Sequence, residues 1–155
     1  MVKLTDIHED LIANKAQLYF YPLGFAEAAT VKHNSADEYG IFLDPAQLHG
    51  MADLKAKLAH ECGHCATGAV HKANSPFQLI EKVEHRANRW MFERYFTLEQ
   101  FAEALTLGYR TEWELAEWFE MPEGIVRQAV HYYMCNIGVS FNSLAGSAFL
   151  PDEED

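Results

Sequence analysis

The sequence is poor in cysteine and in long apolar runs. Its 155 residues include 3 cysteines, an odd number, and two of them lie three positions apart. Such spacing does not suit a disulfide framework, and it fits a reducing compartment. The N-terminal residues contain no apolar signal core, and no run reaches transmembrane length. We therefore expect a cytoplasmic protein.

Basic residues are also scarce. The chain has 12 Lys and Arg against 23 Asp and Glu, a formal net charge of −11, and its last four residues are all acidic. An acidic surface repels nucleic acid and anionic membranes, and it attracts basic proteins or peptides. We expect a protein partner, no direct contact with nucleic acid and no membrane. The oligomeric state stays open.

The length fits one domain with a core of its own. Short aromatic and β-branched runs at 18–21, 30–33 and 39–43 predict three strands ahead of a series of amphipathic helices. We expect an α+β fold, in which a small N-terminal sheet with antiparallel pairing packs on a mainly helical part. The single domain is expected to cover 1–137, followed by a loosely packed acidic tail at 138–155.

The most informative stretch is 54–69, which reads LKAKLAHECGHCATGA. Its centre, His60-Glu61-Cys62-Gly63-His64, is an HExxH pattern. On a helix, the two histidines lie on one face and can bind one metal ion. Glu61 lies about 100° around the helix from His60, which suits a proton acceptor better than a third ligand. We expect zinc as the cofactor, His60 and His64 as ligands and Glu61 as the general base.

The same helix carries an apolar stripe away from the histidines. The stripe residues recur at spacings of three or four: Met51, Leu54, Leu58, Cys62 and Cys65. The pattern predicts a helix whose face opposite the histidines is buried. We interpret both cysteines as small core residues, with a zinc or redox pair as the alternative.

A catalytic zinc site needs a third protein ligand. The downstream candidates are His71, Glu81, Glu84 and His85. One family of zinc proteases takes a histidine after a glycine turn, as HExxHxxGxxH, but Gly68 and His71 each fall one residue late. Glu84 is better placed, because an antiparallel return of the next helix can bring it beside His60. Glu81, one turn earlier, remains the alternative.

Four segments together resemble the ImmA/IrrE family of metallo-endopeptidases, in the short form associated with phages and mobile elements. They are YGIFLD at 39–44, LAHECGH at 58–64, EHRANRW at 84–90, and ELAEWF at 114–119 with the following Pro122-Glu123. The second and third are similar to the LAHExGH and ExxAN elements of the family. Trp90 and Met91 stand where the family often has Phe-Ala.

The resemblance implies a zincin-like domain with His60, His64 and Glu84 as zinc ligands and Glu61 as the general base. It also implies zinc-dependent hydrolysis of a peptide bond in a partner protein. In the family this partner is often a helix-turn-helix repressor encoded nearby, whose cleavage relieves the repression of phage or mobile-element genes. The repressor is an implication of the resemblance alone.

The strand at 39–43, just ahead of the metal helix, is expected to hold an extended substrate by adding it to a sheet edge. This assigns Tyr39 and Ile41 to substrate binding. A donor for the tetrahedral oxyanion is also expected. Tyr39, Tyr109, Tyr132 and His71 all remain open for that role.

Residues 111–135 have the spacing of a helix-turn-helix. A DNA-binding helix-turn-helix needs a basic face, but 111–133 contains five acidic residues and one strong base, Arg127. We interpret this segment as a packing module within the domain.

Two alternatives to a peptidase remain. The scaffold could bind metal and a partner without catalysis, or the HExxH could be coincidental in a helical regulatory domain. Manganese or iron could also take the place of zinc.

Overall fold

The computed structural model describes residues 1–33, 37–70 and 75–144, and it has an α+β fold. The strands are β1 Ala16–Phe20, β2 Ala28–Lys32 and β3 Tyr39–Leu43. The helices are α1 Leu4–Ala13, α2 Met51–Thr67, α3 Phe77–Tyr95, α4 Leu98–Thr106, α5 Glu112–Phe119, α6 Glu123–His131 and α7 Phe141–Leu144. The chain divides into two compact units, one of Lys3–Met91 and one of Met1–Val2 with Phe92–Asp155. The domain limits expected from the sequence stay a prediction.

The sheet has three strands, as expected, but the expectation of antiparallel pairing throughout is wrong. Its order is β1-β3-β2, with β1 parallel and β2 antiparallel to β3. The connection from β1 to β3 contains β2, which lies on the far side of β3. A neighbouring pair of parallel strands needs such a long connection, whereas β2 and β3 need only a hairpin.

Hydrogen bonds to Asp44 hold the chain where it passes from β1 to β2. The buried carboxylate of Asp44 accepts hydrogen bonds from the backbone of Leu23 at 3.1 Å, Gly24 at 3.3 Å and Ala46 at 3.0 Å. The first two donors lie in the loop that follows β1. The carboxylate therefore holds this loop at the end of β3, from where the chain enters β2 on the opposite side.

Helix α2 runs to Thr67 and ends at Gly68, whose φ of 63° is left-handed. Helix α1 ends at Ala13, because Asn14 and Lys15 turn the chain into β1. Alternate residues of β3, Tyr39, Ile41 and Leu43, are buried. This alternation is that of a strand with one face on the core.

Helices α2 and α3 approach closely where Gly63 meets Ala87. A Cβ atom on Gly63 would lie 2.5 Å from the carbonyl oxygen of Ala87, so only glycine fits there. Ala87 itself is fully buried. The close backbone contact sets the position of the residues of α3 that face α2.

The unit that contains α4 to α7 has an aromatic core. The rings of Phe119, Tyr133 and Phe141 each contact Phe101 edge-on, with centroids 4.9–5.9 Å apart. Thr97 and Thr111 form the capping boxes that begin α4 and α5, as sequence patterns predict. Of the predicted tail at 138–155, residues 145–155 lie outside the described residues.

Over the described ranges, every helix is too short or too polar to cross a membrane.

Candidate metal centre

The HExxH helix and the helix that follows it bring three ligand side chains together. In the unit Lys3–Met91, His60 and His64 project from α2, and Glu84 projects from α3. The His60 Nε2 atom lies 3.1 Å from His64 Nε2 and 3.0 Å from Glu84 Oε2, and His64 Nε2 lies 3.5 Å from Glu84 Oε1. These three residues form a group that could hold a metal ion.

The spacing of these atoms fits a tetrahedral zinc site. Zinc binds imidazole nitrogen and carboxylate oxygen at about 2.0–2.2 Å, which places neighbouring ligand atoms of a tetrahedron roughly 3.3 Å apart. His60 Nε2 lies near this distance from His64 Nε2, at 3.1 Å, and from Glu84 Oε2, at 3.0 Å, while the separation of 3.5 Å joins His64 Nε2 to the other oxygen of Glu84, Oε1. With one atom from each residue, the group lies within 4.8 Å. Two imidazoles and one carboxylate leave the fourth position of a tetrahedron open, as catalytic zinc sites require.

Both histidines are held so that their Nε2 atoms face the group. His64 Nδ1 lies 2.7 Å from the carbonyl oxygen of Ala69, which can only accept, so Nδ1 donates. His60 Nδ1 donates likewise to Asn88 Oδ1 at 2.8 Å. A neutral imidazole with its proton on Nδ1 keeps the Nε2 lone pair for a metal. These two contacts are the orienting partners that metal-binding histidines commonly have.

The electrostatics of the site favour an anionic Glu84 and a protonated His64. Hydrogen bonds to His60 and His64 hold the pKa of Glu84 well below its usual range. Burial acts to lower the pKa of His64, but hydrogen bonds to Glu84 and the Ala69 carbonyl together raise it above its usual value. A metal ion would compete with protons for the same lone pairs.

Glu61, the predicted general base, is buried and does not belong to the ligand group. Its Oε2 atom accepts a hydrogen bond of 2.6 Å from the hydroxyl of Thr30, which lies on β2. Among the described residues, Thr30 is the one side chain that donates to this carboxylate. Glu61 therefore faces the sheet, and its carboxylate is fixed by a strand distant in sequence.

The prediction that β3 offers its edge to a substrate is wrong. Strand β3 is the central strand, paired with β1 on one side and with β2 on the other. The side chains of Tyr39 and Ile41 are 7% and 0% exposed. Within the described sheet, β2 is the edge strand next to α2, because its Thr30 contacts Glu61 and the preceding Glu27 lies 3.4 Å from Lys57.

Other candidates from the sequence do not join the metal group. Glu81, on the same helix as Glu84, is exposed and lies outside the group, while His71 lies outside the described residues. The interpretation of Cys62 and Cys65 as core residues is confirmed, since both are buried and neither forms a disulfide. Burial raises the pKa of Cys65 to about 12, so this thiol stays protonated at neutral pH.

Sequence reasoning did not predict three contacts of the candidate site. Asn88 follows Glu84 by four positions, so the rule that such residues share a helix face could have paired them. The Ala69 carbonyl depends on the left-handed turn at Gly68, which the sequence indicates only weakly. Thr30 carries no local signal, because its contact with Glu61 depends on how the sheet is ordered.

Comparisons with protein-family models, with curated proteins and with solved structures give no match for this chain.

Proposed function

We propose that the protein is a zinc-dependent endopeptidase that hydrolyses a peptide bond in a specific partner protein. The observation that carries the proposal is the convergence of His60, His64 and Glu84 beside a buried carboxylate, Glu61, that lies outside the ligand group. A structural zinc site is closed by four protein ligands, whereas three ligands beside a potential base are typical of hydrolytic sites. The resemblance to ImmA/IrrE peptidases supports the same assignment.

Each side chain has a separate task in this reaction. A zinc ion held by the three ligands would supply Lewis-acid activation of water and of the scissile carbonyl. Glu61 takes a proton from the attacking water and passes it to the leaving amine nitrogen, as a general base and then a general acid. Asn88 and the Ala69 carbonyl keep the two imidazoles in the metal-binding tautomer. The oxyanion donor stays unassigned.

Strand β2 is the part of the sheet that suits an extended substrate. Asp44 N donates to the Glu27 carbonyl and His33 N donates to the Glu38 carbonyl, both at 2.9 Å, so the odd-numbered residues of β2 pair with β3. Because antiparallel pairing alternates, the N–H and C=O groups of Ala28, Thr30 and Lys32 point to the outer edge. A peptide added to that edge would lie beside Glu61.

The charge of the chain supports a basic protein as the substrate class. A net charge of −11 favours association with a basic partner such as a DNA-binding repressor. The chain itself is poorly suited to nucleic acid, because Arg127, the one strong base of 111–133, is paired with Glu112 at 2.6 Å and Glu123 at 2.8 Å. We infer that the helix-turn-helix-like segment serves packing.

The first experiment measures zinc content and affinity of the purified wild type beside Glu84→Ala, Glu61→Gln and Glu81→Ala. We expect one zinc per chain, lost in Glu84→Ala but kept in Glu61→Gln. Glu81→Ala is the matched control, since it removes the same side chain one turn earlier on α3, and it should keep its zinc. A wild type that takes up no zinc would overturn the peptidase proposal.

The second experiment tests for hydrolysis. Zinc-loaded wild type and Glu61→Gln are incubated with a cell lysate, and new protein N-termini are identified by mass spectrometry. We expect a small set of new termini with the wild type and none with Glu61→Gln. Zinc binding without any new terminus would favour the alternative, a metal-binding regulatory protein without catalysis.

A further inference from the structure

Thr30 lies on the edge strand β2 and contacts the candidate base, Glu61. Its side chain points to the inner face of the sheet, where its Oγ1 lies 2.6 Å from Glu61 Oε2. Its backbone N–H and C=O point to the outer edge of β2, away from β3. One residue therefore contacts the general base through its side chain and offers its main chain to a peptide.

The direction of the hydrogen bond follows from the chemistry of the two groups. An ionised carboxylate only accepts, so the Thr30 hydroxyl donates its proton to Glu61. Among the described residues, no side chain donates to the other oxygen, Oε1. Hydrogen bonds to a charged acceptor are short and roughly twice as strong as neutral ones, so this contact fixes the rotation of the carboxylate.

We propose that Thr30 is the positioning residue of Glu61, and that it couples the seating of an extended peptide on β2 to the orientation of the general base. The inference depends on the proposed function of the metal centre and deepens it. Thr30 is not a metal ligand and has no part in proton transfer. It acts through Glu61, by keeping one carboxylate oxygen engaged.

Placement on a β-strand makes this role testable without disturbing the fold. Threonine and valine have nearly the same shape and both favour strands. Thr30→Val therefore removes the hydroxyl and keeps the backbone, while Thr30→Ser keeps the hydroxyl. Val31→Thr is a matched control on the same strand, because residue 31 points to the opposite face and is 53% exposed.

The probe is acetohydroxamate, which binds zinc through two oxygens and offers a proton to a neighbouring base. Its dissociation constant is measured by calorimetry on zinc-loaded wild type and variants, after zinc affinity has been measured by competition with a chelator. We expect Thr30→Val to bind zinc within about twofold of wild type and to bind acetohydroxamate about tenfold more weakly. Thr30→Ser and Val31→Thr should bind acetohydroxamate within about threefold of wild type.

A double-mutant cycle separates positioning from a general structural effect. In Glu61→Gln the base is already lost, so adding Thr30→Val should change acetohydroxamate affinity by less than about twofold. An equal loss in both backgrounds would overturn the proposal, because Thr30 would then act independently of Glu61. No loss in Thr30→Val, or a loss of zinc from it, would overturn it as well while leaving the peptidase proposal intact. A wild type without zinc would overturn both.

Discussion

The two compact units bury different kinds of side chain. In Lys3–Met91 the buried residues include four polar or charged ones, Asp44, Lys55, Glu61 and His64. In the unit with Phe92–Asp155, the described core is built on phenylalanine rings, and its one buried charged residue is Glu112. Burial of polar groups costs free energy unless they are paired. This cost therefore concerns more side chains in the first unit than in the second.

The difference separates residues that keep the fold from residues that form the candidate site. Burial raises the sensitivity of a titratable group to its neighbours, and perturbed groups cluster at functional sites. In the first unit, His64 and Glu84 have shifted pKa values and face each other. In the second, Glu112 is paired with Arg127 across α5 and α6, which is a packing role. The following predictions test this division, from the largest expected effect to the smallest.

Phe101→Ala should produce the largest loss of stability. Phe101 is fully buried and contacts three other rings, so truncation should lower the free energy of unfolding by about 3–5 kcal/mol in urea denaturation. Phe25→Ala is the control, because that ring is 82% exposed and should change stability by less than about 0.5 kcal/mol. The folded Phe101→Ala variant should keep stoichiometric zinc. Loss of zinc from this variant would contradict the division between residues that keep the fold and residues that form the candidate site.

The pH dependence should differ between zinc-free and zinc-loaded protein. The raised pKa of His64 contributes stability below pH ~6.5 that is lost as pH rises through the raised value. The lowered pKa of Glu84 contributes stability above pH ~4.3 that is lost as pH falls. Both contributions to the zinc-free protein are therefore present together between about pH 4.5 and 6.5.

Zinc displaces the proton of His64, so its affinity should fall at least about tenfold for each pH unit below that pKa. Thermal unfolding in EDTA and in zinc, at a series of pH values, measures both effects. The pH at which the melting temperature is highest should be greater in zinc than in EDTA. The same optimum under both conditions would contradict the proposed exchange of proton for metal.

Asn88→Ala should lower zinc affinity by about ten- to a hundredfold, the usual effect of removing a group that orients a histidine ligand. Asn88→Asp keeps an acceptor oxygen for His60 Nδ1 and should stay close to wild type in chelator competition. If both variants bind zinc like wild type, the orientation of His60 does not depend on this contact.

Gly63→Ala should lower zinc affinity by about tenfold without removing a ligand. The new methyl group would collide with the Ala87 backbone, and such overpacking costs about 1–3 kcal/mol, more than the gain from replacing a helix glycine. Gly124→Ala is the matched control, since it lies in a helix with open space around it and should be neutral or slightly stabilising. Equal behaviour of the two variants would show that close helix approach does not position Glu84.

Local signals in the sequence predicted the helices and much of the candidate site. The spacing of His60, His64 and Glu84 depends on two consecutive helices, and helical periodicity is readable from neighbouring residues. The capping boxes at Thr97 and Thr111 are equally local. The capping boxes and the His60–His64 pair could be predicted because each depends on residues three or four positions apart. Glu84, 24 positions from His60, was predicted from the periodicity of its own helix and from the family resemblance.

The sheet could not be predicted in the same way. Strand positions were recognised, but their order depends on the hydrogen bonds that Asp44 makes with a loop 20 and 21 positions away. Without that order, an extended substrate was assigned to β3, which is the central strand, and Tyr39 and Ile41 were assigned to substrate binding with it. The unpredicted order also hid Thr30, whose partner Glu61 lies 31 positions along the chain.

Sequence separation also bears on the order in which the contacts of the site form during folding. It is 24 positions for His60 and Glu84, and 31 positions for Thr30 and Glu61. Contacts close in sequence form sooner, because closing a short loop costs less entropy. The three candidate ligands come from consecutive helices, while the contact of Glu61 with Thr30 requires α2 to dock on a completed β2–β3 hairpin. We expect a folding chain to bring the three candidate ligands together before Glu61 meets Thr30, so that the candidate base is oriented last.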